Sequence, residues 1–420
     1  MNKNEFLPII LGSDENAYGN VRLLVGEYGV RPLLICTRRL TATLDSSLFD
    51  IRCVEGFDSE AVFPDALYSI LSEKKKEFDK LIVVACSDYY AAMMSKYYDR
   101  FEGLIENKFI SPELLSTLDT KERFYALCEK YGLDYPKTLV VEPDARERAL
   151  DGVDISFPIV VKPDNSNSYE YLHCSFEGKK KVFFFGDIEE YKTMVRNMNR
   201  SENGYGGKLI VQEFIPGGDD AMRVMNCYSS GDGKVRLMCL GQPVLEEYSP
   251  KTLGNYAAII TRQDNALYAK MKKFLEDIGY VGFSNFDMKY DRRSGKYMLF
   301  EINPRPGRSS FFTSAAGLNI MKELVDDTVY KIPRETPLLG SKTAIWSAVP
   351  KGVLKKYVRD PALRRECMEL WNRGVARTLF CKEDMSTRRA VRIYRYYLGY
   401  YKSFKRYYFE KGDTPGGEKR

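Results

Sequence analysis

The N-terminal part of the chain alternates short, wholly apolar runs with helical patterns. Phe6–Leu11, the segment from Arg31 to Cys36 and the segment from Lys80 to Cys86 have no polar face, the signature of parallel strands buried on both sides. A polar stretch, Gly12 to Gly19, follows the first run and leads into a helical pattern reaching about Tyr28. The pattern predicts an α/β module. Ligands of such sheets sit at the carboxyl ends of the strands, where Gly12, Ser13, Asp14 and the pair Ser87 and Asp88 stand. No Gly-x-Gly-x-x-Gly sequence accompanies them, so the nucleotide signal from this module alone is weak.

Beyond it, Asp119 followed by Glu122 opens a helix like a capping box, and Gly132 closes it. A strand is expected through Val141, a second over Phe157–Pro163 and a third from Leu209 that runs into a hinge and a turn at Gly217–Asp220. Tyr169–Phe176 alternates and is expected as a strand, which gives its His173 a structural role. Gly282–Tyr290 and Lys296–Glu301 flank the turn-forming Asp291–Gly295 and predict a hairpin.

The 420 residues, 44% of them hydrophobic, leave room for two or three domains. No apolar run is long enough to span a bilayer, and the first residues lack a signal-peptide core. Nine cysteines without a Cys-x-x-Cys pair suit reduced, packed thiols, so a cytoplasmic protein is expected. The single histidine excludes multi-histidine metal centres and disfavours histidine acid–base catalysis. The net charge of +6 lies in residues 386–420, where ten Lys and Arg stand against three Asp and Glu and leave the rest of the chain near −1. The stretch from Arg388 to Phe409 mixes these charges with Tyr and Phe at helical spacing. It is expected as a helix whose rings cover the last domain while its cations reach solvent. The same segment is the one candidate for contact with an anionic membrane surface, and no nucleic-acid partner is expected.

Chemistry concentrates between Phe300 and Ser310. Glu301 and Asn303 are two apart, so on a strand both point to one face, and a carboxylate with an amide oxygen suits a hard cation such as Mg2+. The hairpin brings in Asp287 as a third oxygen ligand. Arg305 and Arg308, with Ser309 and Ser310, add groups for phosphate or carboxylate. Each residue taken singly is most often a solvated edge residue; their crowding argues for a site. Lys162, at the end of an apolar strand, is costly to bury without an anion beside it.

In these motifs the chain resembles the ATP-grasp superfamily of carboxylate–amine ligases, and its run from Glu301 to Ser310 resembles the carbamoyl-phosphate synthase large-subunit branch. The resemblance is continuous from Asp119 to about Asn319, roughly half the chain. It implies an α/β (α+β) ATP-grasp fold preceded by a Rossmann-like module. The implied domains are 1–115, an ATP-grasp domain over 116–335 with a lid near 135–207, and a basic aromatic extension over 336–420. It implies ATP contacts from Lys121 and Lys162 to phosphate, from Glu213, Phe214 and Ile215 to adenine, and from Asp220 to ribose. It implies one or two Mg2+ ions, or Mn2+, on Asp287, Glu301 and Asn303, catalysis by Arg305 and Arg308, and substrate contacts from Gly12, Ser13, Asp14, Arg223, Asn255, Ser309 and Ser310. The glycine-rich flap of better-known members is replaced by Asp164–Leu172 and a second stretch, Phe176–Lys180.

Finer matches, among them Ile9–Asp14, Phe176–Lys180, Asn285–Asp291 and Gly307–Phe312, look like bacterial D-aspartate ligases, although Pro304 and Pro306 around Arg305 depart from that pattern. The implied reaction joins D-aspartate, activated as an acyl phosphate, to the lysine side chain of a UDP-linked peptidoglycan precursor. The alternatives are a ligase of another acid–amine pair and, in a different class, a nucleotide-binding regulatory protein without turnover. The intact metal set and both arginines argue against the last.

Overall fold

Sixteen strands carry the architecture of the computed structural model, which describes residues 4–164, 168–180, 182–250 and 252–409. In chain order the first eight are β1 Asn4–Leu11, β2 Leu33–Cys36, β3 Asp50–Cys53, β4 Phe78–Ala85, β5 Thr138–Val141, β6 Ile159–Pro163, β7 Phe183–Phe185 and β8 Leu209–Glu213. The others are β9 Met222–Ser229, β10 Val235–Glu246, β11 Tyr256–Arg262, β12 Gly282–Asp291, β13 Lys296–Asn303, β14 Leu338–Leu339, β15 Ile345–Ser347 and β16 Val375–Ala376. Expectations that rest on residues 165–167 of the flap replacement, on residues 410–420 and on the first three residues lie outside the described chain.

The chain forms two compact units. Residues 4–115, 223–286 and 303–408 make one, and residues 116–222 and 287–302 the other. In the first unit β1 to β4 form a parallel sheet of order β3-β2-β1-β4. Its apolar runs are buried on both faces. Tyr18, Leu24 and the Ile320–Thr328 helix cover one side, and Phe57, Phe63, Leu67 and Met94 cover the other. The helix after β1 begins at Glu15, earlier than the sequence pattern indicated, because Asp14 caps it by accepting the Ala17 N–H at 3.0 Å.

A larger sheet has the order β13-β12-β9-β10-β11-β15-β16, with β14 beside β10. All twelve residues of β10 are buried. Gly241 is required there, since a Cβ would stand 2.5 Å from Ile259 Cγ2 and 3.0 Å from Val224 Cγ1. Within residues 336–409 β15 pairs with β11, β16 pairs with β15, and Trp346 is buried with its Nε1 donating to Thr378 Oγ1 at 2.9 Å. The Thr387–Tyr407 helix is tied to the N-terminal module by Arg389, fully buried, which contacts Asp384 at 3.0 Å and donates to the carbonyls of Ala42 and Leu44. Asp384 also accepts from Tyr18 and Ser46, so the buried charge is shared over several donors.

The second unit holds an antiparallel sheet of order β5-β8-β6-β7 over a core of Val161, Phe183, Tyr191, Val195 and Val211. Tyr169–His173 is a helix, not the expected strand. Ser168 caps it by accepting the Tyr171 N–H, and His173 stacks on Tyr169 at 3.9 Å between ring centroids. Local capping overrode an apolar alternation too short to fix a strand.

Candidate functional site

In the second unit, β6 buries Ile159, Val161 and Pro163 and turns Lys162 to the other face, half-buried, with its Nζ 5.8 Å from the Phe300 ring centroid. Burial and, after it, the charge of Lys121 hold the Lys162 ammonium well below the ordinary lysine range, with Glu301 opposing them. Among the described residues no carboxylate lies within ion-pair distance of Lys162. Such a cation calls for an anion. Lys121, the first residue of the Lys121–Lys130 helix, donates to Glu301 Oε2 at 3.1 Å.

Glu213 ends β8 and meets Arg293 at 2.9 Å. Phe214 and Ile215 are buried, and Lys289 Nζ lies 5.1 Å from the Phe214 ring centroid. The Phe214 N–H donates to the Pro158 carbonyl at 3.2 Å, so an adenine edge at this hinge does not use that group. Asp220 Oδ2 accepts from Arg292 at 2.5 Å.

Asp287 and Glu301, both half-buried, stand on neighbouring strands β12 and β13, joined by a turn in which Gly295 N–H donates to the Asp291 carbonyl at 2.8 Å. Asn303, two residues after Glu301 with buried Ile302 between them, ends β13 on the same face as Glu301. Among the described residues no three His, Cys, Asp or Glu side chains gather as a closed metal cluster. The two carboxylates are hard oxygen donors, an incomplete set that fits Mg2+ completing its shell with phosphate and water.

In the first unit, Arg305 makes a two-pronged contact with Asp88, at 2.8 and 3.1 Å. Arg308 donates to Glu247 Oε1 at 2.8 Å and lies 3.5 Å from Glu15 Oε2. Burial pulls the Arg308 guanidinium down, but Glu15 and Glu247 outweigh it and hold the charge firmly on. Burial pushes the Glu247 carboxyl up against the pull of Arg308. Tyr396 donates to Glu15 at 2.9 Å and Tyr400 to Glu247 at 3.2 Å. Asp14, beside this cluster, is pushed up by burial while the Ala17 N–H, Arg308 and Arg305 lower it.

The remaining candidates shape the loops around the arginines. Ser310 Oγ donates to Asn16 Oδ1 at 3.3 Å, and Asn16 Nδ2 donates to the Pro306 carbonyl at 2.8 Å. Ser309 is buried. These contacts give Ser310 a partner in the protein where the sequence had pointed to a substrate. Gly307 is dictated by close approach, as a Cβ there would lie 2.4 Å from Asn285 Oδ1. Ser13 Oγ donates to the Arg38 carbonyl at 2.7 Å, and Gly12 adopts φ of 133° beside Cys86. Asn255 Nδ2 bonds the Thr252 carbonyl and its own carbonyl accepts the Glu247 N–H at 2.7 Å, which orders the loop after β10. Arg223, at the start of β9, is half-buried. Sequence reasoning missed Glu15, Glu247, Tyr396 and Tyr400. The available signal was a pair of glutamates, Glu246 and Glu247, at the end of a largely apolar strand.

Comparison with known proteins identifies relatives of the whole chain and of its fold. Residues 257–326 match the family model described as carbamoyl-phosphate synthase L chain, ATP binding domain. The chain is 37% identical over 420 residues to a D-aspartate ligase of Enterococcus faecium (strain Aus0004), covering 97% of this chain and 98% of that one. It is 21% identical over 187 residues to a D-alanine–D-alanine ligase of Xylella fastidiosa, covering 43% and 56% of the two chains. Among solved structures, N5-carboxyaminoimidazole synthetase from Staphylococcus aureus superposes with a TM-score of 0.55 at 12% identity over 88% of each chain. L-amino acid ligase from Bacillus licheniformis gives 0.50 at 15% identity over 78% and 75%. These likenesses show the fold.

Proposed function

Since the chain belongs to the ATP-grasp ligases and is an ATP-dependent ligase, we propose that it activates a carboxylate of D-aspartate as an acyl phosphate and joins it to the lysine side-chain amine of a UDP-linked peptidoglycan precursor. Members of this family use ATP with Mg2+ in general. A terminal phosphoryl group passes from ATP to a carboxylate oxygen and ADP leaves. The amine then attacks the acyl carbon, phosphate departs with the carboxylate oxygen, and the amine loses its proton. No helix among the described residues is long and apolar enough to cross a membrane.

The observation that carries the activation step is Lys162, a desolvated cation without an ion-pair partner among the described residues, beside Lys121. Phosphoryl transfer asks a protein mainly for positioning and charge neutralisation. Lys121 and Lys162 bind the phosphates, Glu213, Phe214 and Ile215 take the adenine, and Asp220 takes the ribose. Asp287, Glu301 and Asn303 hold Mg2+, two ions in this reading, with Mn2+ able to replace it. Bound there, the metal neutralises phosphate charge. Arg305 and Arg308 orient the acid and meet the charge that develops on it. Gly12, Ser13, Asp14, Arg223 and Asn255 shape the acid and amine positions.

The choice of D-aspartate is supported by the full-length relative. A ligase for another acid is the second reading, favoured by Pro304 and Pro306 on either side of Arg305. The test is ATP-dependent phosphate release with D-aspartate, L-aspartate, D-alanine and bicarbonate in turn, with a lysine-containing UDP-linked pentapeptide as amine. D-aspartate is expected to stimulate most. If bicarbonate or an L-amino acid alone stimulated, the D-aspartate assignment would fall.

A further inference from the structure

The Thr387–Tyr407 helix does more than cover a core. One of its faces lines an open groove of about 1010 Å3 in the first unit, together with Thr41 and the loop after β10. That is at the upper end of the size of small-molecule sites. The helix residues along it run from Thr387 to Ser403, roughly 24 Å at 1.5 Å per residue. A groove of that length suits an extended ligand.

Its two ends differ in charge. Along the first half of the helix stand Arg388, Arg392 and Arg395, spaced to share one face. Asp45 balances part of them, at 3.2 Å from Arg388 and 2.9 Å from Arg392. Arg395 is exposed and has no carboxylate in ion-pair range among the described residues. The other end is floored by Glu247, which with Glu15 sets two carboxylates against the single guanidinium of Arg308. A cationic end built from arginine forks suits phosphate. An end with surplus carboxylate suits an ammonium.

We propose that this groove receives the amine substrate as an extended molecule, its ammonium end at Glu247 and a phosphate-bearing end at Arg388 and Arg395. The inference rests on the ligase reading and deepens it, because it gives the acceptor a place and a polarity. It also gives the C-terminal basic segment a small-molecule partner in place of a membrane surface.

The test uses the full chain with Arg388→Glu and Arg395→Glu combined. Both side chains are solvent-exposed, that of Arg388 by 80%, so the fold should stand. Two acceptors with the same lysine-containing peptide, one UDP-linked and one free, are compared by KM. Hydroxylamine trapping of the activated acid, without acceptor, reports activation alone. The wild-type protein is expected to favour the UDP-linked acceptor by roughly 10-fold or more. The double variant should lose most of that preference and trap hydroxamate at the wild-type rate.

Retention of the preference by the variant, or no preference in the wild-type protein, would overturn the proposal. Loss of hydroxamate together with the preference would overturn it too, since the arginines would then belong to activation. Failure of the wild-type protein to form hydroxamate with any acid would count against the ligase reading instead. In that event equilibrium binding of the UDP-linked pentapeptide decides: weakening in the double variant supports the groove, and equal binding overturns it.

Discussion

The two units treat their cations in opposite ways. In the second, Lys162 is desolvated, has a second lysine beside it and finds no carboxylate in ion-pair range among the described residues. In the first, Arg305 grips Asp88 with two contacts, and Arg308 is set between Glu15 and Glu247. The first arrangement stores a need for an anion, which the phosphates of ATP would answer in the proposed function. The second is balanced in advance, so its arginines are held in place without ligand and have less charge to offer a newcomer. Binding energy should therefore reside mainly in the lysines, and orientation mainly in the arginines.

The largest effect should come from the oxygen donors of the second unit. Asp287→Asn and Glu301→Gln each remove a charged oxygen ligand, and acid-dependent phosphate release should fall on the order of 10^3-fold, since metal-ion charge stabilisation is worth several kcal/mol. Circular dichroism and melting should stay near wild type. Turnover near wild type in both variants would remove the metal assignment.

Arg308→Ala sharpens the contrast in stability. It strands Glu15 and Glu247 in a buried position and should cost about 3 kcal/mol of unfolding free energy, read by denaturant titration. Adding Glu247→Gln to that variant should return part of the loss. A melt unchanged by Arg308→Ala would mean that the arginine is not balanced in the way described.

Lys162→Ala should do the reverse, leaving the ligand-free protein as stable or more so while weakening ATP binding by roughly 10- to 100-fold, the cost of a lost charged hydrogen bond. The pH dependence follows from the direction of the shift. The lysine's folded-state pKa lies below its usual 10.5, so the unfolded chain binds more protons between those two values and stability rises with pH there. The burden of charging Lys162 is full below the folded-state pKa and gone above the unfolded one. Any stability advantage of Lys162→Ala should accordingly shrink as pH climbs toward 10.5, as thermal melts at several pH values would show.

Asp88→Asn should have the smallest effect. Asp88 is 59% exposed, and surface ion pairs contribute about 0–1 kcal/mol. A few-fold change in the KM for the acid, with stability intact, is the expected outcome of steady-state assays.

What could be read from the sequence follows the range over which each feature is determined. β1, β2 and β4 are legible because strands buried on both faces must be apolar throughout, and the β12–β13 hairpin because its turn chemistry is local. Lys162 is conspicuous for the same local reason, a cation on an apolar strand. The cluster around Arg308 is not local. Glu15, Glu247, Tyr396 and Tyr400 meet across hundreds of residues, and no spacing rule links them. β15 and β16 escaped notice because three and two residues carry no period, although they draw the C-terminal region into the larger sheet. The expected strand at Tyr169–Phe176 failed because Ser168 caps a helix there.

In the proposed reaction an acid is activated as an acyl phosphate before the amine attacks it. D-aspartate labelled with oxygen-18 in its carboxyl groups, turned over with Mg-ATP and a lysine-containing UDP-linked pentapeptide, tests it most directly by mass spectrometry of the released phosphate. One labelled oxygen is expected in each phosphate formed by ligation. Product formation with unlabelled phosphate would contradict it.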